Sequence, residues 1–169
     1  KNAGLMEYRY SQCAKQCGID MEETRLFPSD ICDGYFGTKR FDRKNDSFGE
    51  HRIHMLTAAA LLELDFRQPN MDYHQLMKLT KILTRDNNSK NFTFMYDENN
   101  DGWRLSPAYD LTYSTTYYGE HTTTVDGNGR NPGIKELAAV GTAAGIGKDI
   151  CTEIAYDIEK CVKNELNGN

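Results

Sequence analysis

The sequence predicts a mixed α+β fold, mainly helical with short β-hairpins, and three observations carry that prediction. Apolar residues recur at three- and four-residue steps over 6–17, 51–64, 73–84, 134–144 and 148–166, the spacing of amphipathic helices. Residues 92–96 and 103–106 alternate instead about 98–102, where Asp101-Gly102 supplies the residue types of a tight hairpin turn. With 38% hydrophobic and 27% charged residues, the composition is that of a globular chain able to bury a core.

A length of 169 residues suits one domain, and residues 1–169 read as a single lobe. The net charge of −5 comes with no basic block, so no direct contact with nucleic acid is expected. No apolar run reaches membrane-spanning length, and the N-terminus lacks the core of a signal peptide. Five cysteines, an odd number without a dense framework, point to reduced thiols and a cytoplasmic setting. Cys13 and Cys17 lie one helical turn apart. No second Cys or His pair completes a metal site, so they read as helix-packing residues.

In order, helix 6–17 stops at Gly18, which can take the left-handed conformation of a helix C-terminus. Glu7 lies near its start, where an acidic residue suits the helix dipole. Residues 21–28 read as an irregular connection, followed by short strands at 30–32 and 35–41 with Gly34 in their turn. Residues 44–50 read as a polar loop. Helix 51–64 would place Ile53, Leu56, Ala60 and Leu64 on one face. His51 and His54 lack a third ligand nearby and read as polar residues at its start.

Helix 73–84 carries Leu76, Leu79, Thr80 and Leu83 towards the core. In the hairpin, Phe92, Phe94 and Tyr96 share one strand face, with Thr93 and Met95 on the other. Residues 112–119 are a loop rich in Tyr, Ser and Thr, 121–125 a short strand, and 126–132 turn chemistry. The last helix, 148–166, shows Ile150, Ile154, Ile158, Val162 and Leu166 at four-residue steps, with Glu159 and Lys163 as a surface pair.

The chemistry concentrates in 85–111. Asp86 and Asn91 have the spacing D-x-x-x-x-N of a protein-kinase catalytic loop, where the Asp takes the acceptor hydroxyl's proton and the Asn holds magnesium. The hairpin then returns Asp110, in Pro107-Ala108-Tyr109-Asp110, towards that loop. Such a set suits Mg²⁺, which takes few protein ligands and completes its octahedron with water and phosphate oxygens. The spacing alone also fits a solvated hairpin with polar turns; the ordered series of loop, Lys90-Asn91, hairpin and Pro-Ala-Tyr-Asp is more specific.

Three motifs resemble the C-terminal domain of the HipA-type serine/threonine kinases, toxins of type II toxin–antitoxin systems. They are Lys39-Arg40-Phe41-Asp42-Arg43, Asp86 with Lys90-Asn91-Phe92, and Leu105-Ser106-Pro107-Ala108-Tyr109-Asp110-Leu111. Weaker support comes from Glu7 with Ala14 and Gly18-Ile19, and from Arg52 with His54. The resemblance covers most of 4–145 and implies a kinase-like C-terminal lobe.

It implies that Asp86 is the catalytic base and that Lys90 neutralises the γ-phosphate. Asn91 and Asp110 would bind Mg²⁺. The hinge would hold ATP, with the backbone around Lys39 and Phe41 on the adenine and Asp42 on the ribose. Glu7 would stand near a nucleotide-binding lysine. The partners implied are a protein substrate and a DNA-binding antitoxin. No glycine-rich phosphate loop or strand lysine of the V-A-I-K kind is present; by resemblance they lie N-terminal to Lys1.

The chain departs from the family at two places beside the proposed site. A helix that normally precedes the catalytic loop is missing between Leu83-Thr84 and Arg85-Asp86, and Asn88 stands where the family has His. Either activity has been lost or a segment is missing from the sequence. The alternative function is therefore a non-catalytic or decayed kinase lobe that only binds an antitoxin.

Overall fold

The computed structural model describes residues 2–64, 71–84, 93–112, 119–121 and 123–167. The chain divides into two units, one of Lys1–Ile53, Pro107–Tyr113 and Ile158–Asn169, the other of His54–Ser106 and Ser114–Asp157. The mixed α+β class holds, with five helices and nine strands among the described residues.

In the first unit, helix α1 (Ala3–Gln16) packs on an antiparallel ribbon of β1 (Thr24–Phe27) and β2 (Tyr35–Thr38). Gly18, at φ +73, ends the helix as expected: Gly18 N donates to Lys15 O and Ile19 N to Ala14 O, satisfying carbonyls that the helix leaves open. Gly4 lets the helix come close to the ribbon, since a Cβ there would lie 2.5 Å from Gly34 O. Buried Ser11 and Thr24 share a 2.9 Å hydrogen bond between α1 and β1, so neither hydroxyl is left unsatisfied. Beyond β2, β3 (Arg43–Asp46) and β4 (Gly49–Arg52) form an exposed hairpin.

Three expectations need correction here. The first strand lies at β1, not at 30–32, where Ile31 is 83% exposed and has nothing to pack on. Residues 44–50 are not a loop but most of the β3–β4 hairpin. The predicted helix 51–64 is instead the end of β4, then β5 (Met55–Thr57), then the short helix α2 (Ala58–Leu61). Its apolar residues fit helical spacing, but Ile53 N pairs with Asp42 O and Met55 opposes Met95 across a sheet. Long-range strand pairing overrides the local period.

The second unit is built on a three-stranded antiparallel sheet in the order β5, β7 (Thr93–Asp97), β8 (Gly102–Leu105). Helix α3 (Tyr73–Thr84) covers it, within the bounds that its apolar spacing predicts. Phe94, Leu76 and Ala58 form the buried centre, with Leu79, Leu83 and Trp103 packed around them. Thr93 and Met95, on the opposite strand face, are buried too. The hairpin turn behaves as read: Asp97 accepts from Asn99 N and Asn100 Nδ2, and Asp101 takes φ +46. Trp103 stacks edge-on against its cross-strand partner Tyr96.

Strand β6 (Met71–Asp72) runs parallel to β9 (Thr123–Thr124). Asp72 fastens this pair by accepting from Thr124 Oγ1, His74 N and Gly127 N. Helix α4 (Ile134–Ala143) starts where Glu136 accepts from Gly133 N at 2.9 Å. Helix α5 (Lys148–Asn167) follows, belonging to this unit through Asp157 and to the first unit from Ile158. Its predicted apolar face is only partly used: Ile150 and Ile154 are exposed, while Cys151 and Ala155 are buried.

Candidate functional site

The segment from Pro107 to Asp110 is fixed by backbone bonds before any side chain contributes. Ala108 N donates to Asp20 O at 2.7 Å, and Ala108 forms a parallel bridge with Met21 on the stretch leaving α1. The Tyr109 ring then packs on Phe41, centroids 5.4 Å apart. The segment after β2 and the segment carrying Asp110 therefore meet. Asp42 and Asp110, singled out from motifs far apart in sequence, lie in one unit.

Asp110 sits at φ +52, a left-handed conformation that a non-glycine residue adopts at a cost. Its turn is closed through the backbone, Thr112 N donating to Asp110 O at 3.1 Å. The carboxylate makes no hydrogen bond or ion pair among the described residues. It lines a niche of about 10 Å³ with Glu7, Ser11, Met21, Phe36, Leu111 and Thr112, room for a water-sized guest. Glu7, whose place near the start of α1 had two readings, thus shares a niche with Asp110.

Just after β2, Lys39 N donates to Glu23 O at 2.9 Å, continuing the β1–β2 pairing. Phe41 N makes no hydrogen bond among the described residues. Lys39 also lines a groove of about 300 Å³ with Glu23, Arg25, Phe27, Gly37 and Thr38. Asp42 is held by Arg40, whose Nε reaches Oδ1 at 2.7 Å and Nη2 reaches Oδ2 at 2.5 Å. Hydrogen bonding from Arg40, aided by the charges of Arg40 and Arg43, keeps the Asp42 carboxyl below its ordinary range against the opposing effect of desolvation. Arg43 Nε is buried, makes no hydrogen bond among the described residues, and stands 3.5 Å from Asp42 Oδ2. The charges of 40–43 pair locally, Arg40 and Arg43 with Asp42, as well as across β3–β4, where Arg43 meets Glu50 at 3.0 Å.

Asp86, Lys90 and Asn91 lie outside the described residues. Among those described, no group of three His, Cys, Asp or Glu could hold a metal ion. His51 pairs with Asp46 and His54 packs on Trp103. The sequence placed Tyr109 and Arg43 in motifs but gave no hint that the Tyr109 ring meets Phe41 or that Arg43 Nε is buried. No described helix is long and apolar enough to cross a membrane.

No curated protein matches the chain. A solved structure does: a chain of the Shewanella oneidensis MR-1 toxin–antitoxin complex of HipA, HipB and operator DNA, at 13% identity and a TM-score of 0.73. The match covers 97% of this chain and 48% of the other, so this chain spans about half the length of that relative. The HipA-like C-terminal domain matches residues 1–89 and 82–165, two segments that overlap at 82–89. The chain belongs to the HipA-like C-terminal domain family.

Proposed function

We propose that this chain is the C-terminal catalytic lobe of a HipA-like serine/threonine protein kinase, the toxin of a type II toxin–antitoxin pair. The observation that carries the reading is the packing of Phe41 on Tyr109, which sets a hinge-type segment beside an Asp110 whose carboxylate serves no structural bond among the described residues. Asp42 would accept from the ribose hydroxyls. The Lys39 carbonyl and the unused Phe41 N–H, two residues apart, match the donor and acceptor on an adenine edge. Asp86 would orient the protein hydroxyl and take its proton, Lys90 would face the γ-phosphate, and Asn91 and Asp110 would hold Mg²⁺. Bound Mg²⁺ supplies charge neutralisation at the phosphate oxygens. ATP and Mg²⁺ are the cofactors of this reading, and cytoplasm its setting.

Residues 1–169 would act as one lobe, with the phosphate-cradling half elsewhere in the protein. The 169-residue chain alone is therefore expected to transfer no phosphate, since positioning and charge neutralisation supply nearly all of this catalysis. A DNA-binding antitoxin is the proposed protein partner, and DNA contact would be the antitoxin's. The two-segment family match favours a second reading, a decayed lobe that only binds antitoxin. Transfer of labelled γ-phosphate to a protein acceptor by the full-length protein, lost in Asp86→Asn, supports the kinase. No transfer and no Mg-dependent affinity for ATP supports the binding module.

A further inference from the structure

Phe41 and Tyr109 each stand between two backbone anchors of the first unit. Before Phe41, Lys39 N donates to Glu23 O at 2.9 Å; after it, Asp42 O accepts from Ile53 N at 2.9 Å. Before Tyr109, Ala108 N donates to Asp20 O at 2.7 Å; after it, Thr112 N closes the turn on Asp110 O at 3.1 Å. Asp110, at φ +52, reverses the chain directly after Tyr109. The Tyr109 ring therefore packs on Phe41, centroids 5.4 Å and planes 40° apart, while the Asp110 carboxylate lines the niche with Glu7 and Ser11. Both aromatic residues are only half-buried, so their rings can shift without opening a cavity in a close-packed core.

We propose that Tyr109 is a positioning residue that couples the adenine and magnesium sites of the nucleotide reading, on which this inference rests. Tyr109 touches neither ligand. It acts through Phe41, whose backbone N–H would meet adenine, and through Asp110, one planar peptide away. Adenine that fixes Phe41 also fixes the ring packed against it, and with that ring the turn presenting the Asp110 carboxylate. Such coupling is reciprocal: whatever factor adenine gains from Mg²⁺, Mg²⁺ gains from adenine. Its size is bounded by the contact that transmits it. The interaction within an aromatic pair corresponds to about two- to twelvefold in an equilibrium constant. If the rings served packing alone, their loss would lower the melting temperature and leave the coupling unchanged.

The test uses adenosine rather than ATP, because ATP phosphates would bind Mg²⁺ directly and mask a coupling carried by the protein. Calorimetric titration gives the adenosine affinity of the full-length protein with and without saturating Mg²⁺. In the wild type Mg²⁺ should tighten adenosine by about two- to twelvefold. Tyr109→Phe, which keeps the ring, should retain that factor, and Tyr109→Leu should lose it while still binding adenosine. Phe41→Leu should lose it as well, and the double variant should lose no more than either single one, as a shared contact requires. Asp110→Asn should bind adenosine without responding to Mg²⁺. A magnesium effect kept in Tyr109→Leu or Asp110→Asn, lost in Tyr109→Phe, or absent from an adenosine-binding wild type would overturn the coupling and leave the nucleotide site standing. No adenosine binding by the wild type would overturn the nucleotide reading, and the proposal with it. Should Tyr109→Leu fail to fold, Phe41→Leu decides from the other side of the contact.

Discussion

Asp110 holds a left-handed backbone while its side chain bonds to nothing among the described residues, a combination that stability alone does not explain. Replacing it with glycine should leave thermal stability unchanged or raise it by up to about 1 kcal/mol, since glycine adopts φ +52 without strain. A clear drop in melting temperature would instead make the carboxylate structural. Asp72 is the contrasting case. Burial raises its pKa, but hydrogen bonds from Thr124, His74 N and Gly127 N outweigh that and hold it below the ordinary carboxylate range. A depressed folded pKa means that its stabilisation is present above the unfolded value of about 3.9 and is lost as pH falls through the folded one. Melting curves of wild type and Asp72→Asn should therefore differ at pH 6 and converge below about pH 4. An unchanged gap at both pH values would assign the effect to shape rather than charge. The motif residues were singled out through a family resemblance rather than through spacing alone, and the Phe41–Tyr109 contact was not legible at all, because only tertiary packing brings those rings together.

Among the elements, α3, α4 and α5 were legible because each carries a long helical period with few competing partners. The β7–β8 hairpin was legible through Asp101-Gly102. Strand β1 was missed because four residues are too short a window, and the nearby Ile31 drew the strand to an exposed loop. The misread stretch 51–64 shows a local period losing to cross-strand pairing with β7. Gly141 within α4 looks like a weak helical residue, yet a Cβ there would lie 2.5 Å from Cys151 Sγ. Gly141→Ala should thus destabilise by about 1–2 kcal/mol, overpacking outweighing the gain in helix propensity. Denaturant melts should show Cys151→Ala rescuing most of that loss. A single mutant more stable than wild type would show that the contact relaxes freely.

At the scale of the whole molecule, the chain spans about half of the solved HipA chain described above, and its two family-matched segments overlap at residues 82–89. Fold and family therefore stand apart from activity, which rests on the proposed nucleotide site. Its most direct test is the thermal stabilisation of the full-length protein by Mg-ATP, compared between wild type and Asp110→Asn. Asparagine tolerates the left-handed backbone, so both proteins should melt at nearly the same temperature without ligand. At 100 times the dissociation constant, Mg-ATP should stabilise the wild type by about 2.7 kcal/mol, with little or no effect on the variant. Equal stabilisation of both proteins, or none of the wild type, would contradict the account.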